Sequence, residues 1–295
     1  NITPVPVRTG EKIRFDFFVN RKPANTPVAV SELEYEHTKL MHVIGVRSDL
    51  NGFFHIHPYP AKDLGVLTVS GTFPQPGRYK IWSEIKTGGL SHSYGHPDFE
   101  VVGEGEKYLK EVSFDRNVIV GDYQVSVELD TPVAAGHAHD LTFDIHTLAG
   151  EEVAVEDFLA AAMHLSIIKD DWRQFIHTHP QEDGGGDHTG IVPPLVPIAL
   201  ANGDDHGGGS TPASPGRHGI RFGATFPEPG LYKLFAQFRS QGTELPEDQA
   251  LTASFWVKVE EKGALQLPQW ARVAISLILI GLLSTLVHRY ITVRS

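Results

Sequence analysis

The chain has 295 residues, 41% of them hydrophobic, no cysteine and a formal charge of −11. That length accommodates two ordinary domains and an appendage. Absence of Cys removes disulfides, thiolate metal sites and thiol catalysis, and the acidic balance argues against a nucleic-acid backbone or an anionic lipid surface as partner.

From the N-terminus, Ile13, Phe15 and Phe17 alternate with polar residues and predict a strand. Residues 41–58 read MHVIGVRSDLNGFFHIHP, and a turn-plus-strand block follows at Gly71–Lys80, GTFPQPGRYK. In the second half, Val125, Val127 and Leu129, then Leu141, Phe143 and Ile145, repeat the period of two. Val155–Ala162 is the single helix-like stretch before the tail. Residues 163–180 then read MHLSIIKDDWRQFIHTHP, and Ala224–Lys233 reads ATFPEPGLYK. Ala253, Phe255, Val257 and Val259 form a last alternating run, with Trp256 breaking its polar face. Pro- and Gly-rich turns every 8–12 residues are the spacing of a β-sandwich, and Gly77 and Gly230 close turns that favour positive φ.

The two halves are one unit written twice. Met41, His42, Asp49, Phe53, His55, His57 and Pro58 recur 122 positions later as Met163, His164, Asp171, Phe175, His177, His179 and Pro180. The FPxPGxY block recurs 153 positions later, so the second copy carries 31 extra residues between His179 and Phe226. The expected fold class is all-β: two tandem Ig-like β-sandwich domains, residues 1–104 and 105–262, then a linker 263–269, one transmembrane helix 270–290 and a short tail 291–295.

The run 270–290, WARVAISLILIGLLSTLVHRY, is uncharged from Val273 to Val287 and flanked by Trp270 and Tyr290. As a helix it spans about 31 Å against a hydrocarbon core of about 30 Å. Charges on either side do not orient it. An N-terminal Asn in place of Met reads as a chain cleaved after a signal peptide, which places the bulk outside the cytoplasm. Ser276, Gly281, Ser284 and Thr285 give the helix a small-residue stripe for docking against other membrane helices. The insertion, about residues 183–214, is too Gly- and Pro-rich to order itself. Its apolar residues, Leu195 and Val196 among them, read as a patch for a partner. Its acidic and His residues, Asp183, Asp187, His188, Asp204, Asp205 and His206, fit no defined cation loop.

The sixteen histidines are informative by placement. On a strand, His55/His57 and His177/His179 each present two imidazoles on one side, and His42 and His164 can add a third from a neighbouring strand. That set suits copper or zinc. Met41 and Met163 would add a thioether for Cu(I), with His37, His137 and His139 as further candidates. A His beside Pro at a strand end also serves by bonding a backbone carbonyl, and the sequence weighs toward that structural role. No enzyme motif occurs, and Ser91-His92-Ser93 and Tyr94-Gly95-His96 read as loop residues without an activating partner.

The stretch YQVSVELDTPVAAGHAHDLTFDI, with VAVEDF, MHLSIIKDD, FIHTHP and FGATFPEPGLYKLFAQF, resembles a family of secreted or membrane-anchored bacterial Ig-like domains. Their pattern runs GHL…D…HxHP…FPxxGxYxxF, often beside copper- or heavy-metal-handling proteins. The resemblance covers Gly121–Val259 and, with its leading strand short or missing, Ile13–Val102. Met41 and Met163 stand where the family often has Gly. Two functions follow as expectations. The first and preferred is a non-enzymatic accessory subunit of a respiratory or photosynthetic membrane complex, held in the lipid bilayer by its helix against integral membrane subunits. The second is a membrane-tethered copper or zinc binder using the HxHP histidines.

Overall fold

The computed structural model describes residues 1–61, 65–105, 109–180 and 219–261. These form an all-β protein of two sandwich-like halves, whose strands run from Ile2 to Val102 and from Asn117 to Glu260. In the first half one sheet joins Ile2–Thr3, Lys12–Phe18, Val66–Thr72 and Tyr59–Pro60. The facing sheet orders Val7–Arg8, Phe99–Val102, Gly77–Thr87, His42–Arg47 and Phe53–Ile56, with Leu90–Gly95 added to the Gly77 strand. The second half repeats this. Asn117–Val120, Tyr123–Leu129, Ala138–Thr147 and Ile220–Thr225 make one sheet; Val133–Ala134, Leu251–Glu260, Gly230–Ser240, His164–Lys169 and Phe175–Thr178 make the path of the other. Where the second copy has Tyr123–Leu129 beside Ala138–Thr147, the first has only the short leading strand Ile2–Thr3 beside Lys12–Phe18.

Alternation builds each core. Ile13, Phe15 and Phe17 are buried while their strand neighbours are not, because consecutive strand residues face opposite sides. They meet Met41, Val43, Tyr79, Ile81 and Val101; in the second half Phe143, Met163, Leu165, Ile167 and Phe255 do the same. The FPxPG turns hold Gly77 at φ 132° and Gly230 at φ 140°, where a side chain would be strained. Cross-strand volume is balanced within each copy. Gly45 faces Phe54, whose ring fills the space a side chain on Gly45 would need, and Ile167 faces Ile176 in the same register.

The strands His42–Arg47 and His164–Lys169 break the alternation: every residue of both is buried. One face covers its own core. The other packs on the other half, in a cluster of Ile44, Val46, Leu50 and Trp82 with Ile168, Phe175, Phe235 and Trp256. The contact is self-complementary, as between subunits of a symmetric dimer. Phe53 stacks on Phe235 at 4.3 Å, and the equivalent residues Phe175 and Trp82 stack at 5.0 Å. Trp256, out of place on a solvent-facing side, belongs to this interface.

Two expectations are corrected. Val155–Ala162 is not helical: Val155–Glu156 is a strand, and Phe158 and Ala161 bridge a turn whose central residues Leu159 and Ala160 have φ 52° and 59°. The residues Ser91 to Gly95 are not loop but strand, paired along Gly77–Thr87. The helix expected over 270–290 and the loop 183–214, with Ser276, Gly281, Ser284, Thr285, Leu195 and Val196, lie outside the described residues. Among the described residues no helix is long and apolar enough to cross a membrane.

Candidate metal centre

The strand pair His42–Arg47 and Phe53–Ile56 brings His42 Nδ1 to 3.0 Å from His55 Nε2, and His57 Nε2 lies 3.2 Å from the same atom. The repeat rebuilds this with the same atoms: His164 Nδ1 is 3.4 Å from His177 Nε2 and 3.1 Å from His179 Nε2. In each copy the three nitrogens lie within 4.8 Å of one another. Ligands held at about 2.0–2.1 Å around a tetrahedral ion are themselves about 3.3–3.4 Å apart, so the spacing suits one transition-metal ion per triad.

Proton positions follow from the outward nitrogens. A neutral imidazole has one N–H and one lone pair. His42 Nε2–H donates to the Glu36 carbonyl at 2.9 Å, and His164 Nε2–H donates to the Phe158 carbonyl at 2.8 Å. His55 Nδ1–H donates to Gln237 Oε1 at 2.8 Å, and His177 Nδ1–H donates to Glu84 Oε2 at 2.5 Å. In each copy, therefore, two lone pairs meet head-on, an arrangement relieved by a proton or a cation. Burial works against the proton. It depresses His42 to about 4 and His57 to about 3, with neighbouring imidazoles adding to the effect. Burial followed by neighbouring histidines also pushes His55, His164 and His179 well down. Backbone bonding and ligation are thus not alternatives here: the carbonyl bond fixes the tautomer that leaves the inner nitrogen free to ligate.

The two triads form one cluster of rings. The rings of His42, His55, His164 and His177 stand between 5.2 and 6.4 Å from one another, whichever copy they come from. Each triad is supported from the opposite half, since Gln237 is in the second copy and Glu84 in the first. His37 also crosses over. Its ring lies 3.6 Å from that of His179, and burial lowers it to about 4.

Other candidates lie elsewhere. Met41 and Met163 point from the opposite strand face into the sandwich cores and offer the triads no thioether. His139 bonds the Ala134 backbone, and His137 is exposed. Asp49 and Asp171 brace their turns, Asp49 through Arg47 and the Asn51 N–H, Asp171 through Lys169 and the Arg173 N–H. Glu84 and Gln237 were not among the sequence candidates, yet a signal existed: 153 positions apart, they are polar residues at equivalent places in apolar strands.

A family model described as Domain of unknown function (DUF8832) matches residues 2–98 and 118–261. No curated protein matches the chain. Among solved structures, trypsin-activated alpha-2-macroglobulin from Escherichia coli is similar at 10% identity and TM-score 0.21, over 87% of this chain and 15% of that one. The chain thus spans a small part of the macroglobulin's length. The D0-D1 domain of intimin is similar at 10% identity and TM-score 0.18, over 85% of this chain and 92% of that one.

Proposed function

We propose that this chain, which belongs to the DUF8832 family, is a non-enzymatic binder of copper or zinc that takes one ion at each histidine triad. One observation carries the reading: in both copies two inner ring nitrogens face each other, at 3.0 and 3.4 Å, while the nitrogens across each ring are bonded outward. Three neutral nitrogens suit copper and zinc, whereas calcium and magnesium want oxygen. Three protein ligands also leave a fourth position open for an exchanging ligand. The conclusion reverses the order that sequence alone favours between the accessory-subunit and metal-binding readings.

The remaining parts of the reading rest on the sequence. We take the sandwiches to be Ig-like, anchored through residues 270–290 with their bulk on the extracytoplasmic side. The stripe Ser276, Gly281, Ser284 and Thr285 and the loop residues Leu195 and Val196 remain the surfaces for a membrane partner. The test is metal analysis of the detergent-solubilised full chain after incubation with Cu²⁺ or Zn²⁺ and removal of excess. Two ions per chain are expected, falling to one in His55→Ala or His177→Ala. A wild-type chain that retains no metal refutes the reading.

A further inference from the structure

The two triads match in their ligating atoms but not in what stands behind them. Gln237 and Glu84 occupy equivalent positions 153 residues apart, and each accepts the Nδ1–H of the opposite half's central histidine, His55 or His177. Behind His55 is a neutral amide; behind His177 is a partly buried carboxylate. Glu84 Oε2 stands 2.5 Å from His177 Nδ1, so an acidic side chain backs that ring directly. A carboxylate behind a ligating imidazole raises its basicity and places negative charge near the cation, whereas an amide only orients the ring.

Resting on the proposed metal binding, we propose that the two centres are unequal: a divalent transition-metal ion fills His164, His177 and His179 first, and Glu84 is the positioning residue that sets the order. Two dications in so small a cluster repel one another, so the first ion weakens the second. The first copy's triad becomes the weaker, later site.

The experiment titrates the full chain with Cu²⁺ against a competing chelator and follows both phases by electron paramagnetic resonance. A tight and a weak phase are expected. His179→Ala should remove the tight phase and His57→Ala the weak one. Glu84→Gln should weaken the tight phase 10–100-fold and change the nitrogen hyperfine pattern of that species alone. Gln237→Glu should strengthen the other phase, and the exchange of both residues should invert the filling order. A merely structural Glu84 would alter both phases together and leave the copper spectrum of the tight site unchanged. Equal phases, or a tight phase removed by His57→Ala, overturn the inequality while metal binding stands. A wild-type chain that binds no copper instead removes the reading beneath it. Gln237→Glu keeps the test decisive should Glu84→Gln fail to fold.

Discussion

Acid should dismantle the metal-free protein between pH 6.5 and about 4, through the histidine cluster itself. An unfolded histidine titrates near 6.5, but His42 in the folded chain is held to about 4 and His57 to about 3. Between these values the unfolded chain binds more protons than the folded one, so stability is complete above pH 6.5 and falls as pH drops. At about 1.4 kcal/mol per unit, His42 alone removes about 3 kcal/mol by pH 4. His57, taken the same way, would remove about 5 kcal/mol by pH 3. The two are not strictly additive, because part of each depression comes from the other rings. Both side chains are nearly inaccessible, so water does little to screen the effect: His42 is 2% exposed and His57 5%. Domains are stable by about 5–15 kcal/mol, which makes even the smaller loss visible. The assay is urea denaturation of chelator-treated protein at half-unit steps from pH 7.5 to 4.5, followed by near-ultraviolet circular dichroism of Trp82 and Trp256 at the buried interface. Saturating Zn²⁺ should move the loss to lower pH, because the ion competes with the proton for the same lone pairs. A denaturation midpoint that stays flat from pH 7.5 to 4.5 without metal would refute the reasoning.

Phe235→Ala should cost about 3–5 kcal/mol and loosen the two halves, since its ring is buried against Phe53; a red shift of tryptophan fluorescence with β-sheet dichroism retained is the expected sign. Gly45→Val should destabilise by about 1–3 kcal/mol, because an added Cβ would lie 2.1 Å from Phe54 Cζ. Pairing it with Phe54→Ile should recover most of the loss in thermal melts, as Ile167 and Ile176 already share that register in the second copy. If the run 270–290 anchors an extracytoplasmic protein, protease added to intact spheroplasts should digest the sandwiches, and full protection would count against that placement.

The sequence by itself determined the repeat and the all-β class, and it marked the six histidines of the two triads as candidates. Each of these is local: period-two alternation puts Phe15 and Phe17 on one face, and His55 and His57 on one side of a strand, whatever lies beyond. The turn glycines were legible for the same reason, since positive φ is a property of one residue. Leu159 and Ala160 misled because helix-like composition does not reveal a tight turn made by two residues in left-handed conformation. What only the tertiary structure decided is the meeting of the halves. His42–Arg47 and His164–Lys169 have both faces covered, the second by the other copy. That contact explains Trp256 and carries Glu84 from one half to His177 of the other, 93 residues away. Spacing along a chain fixes which side chains share a strand face. It does not fix which distant carboxylate is carried, by the packing of Phe53 on Phe235 and Phe175 on Trp82, to stand behind a ligand.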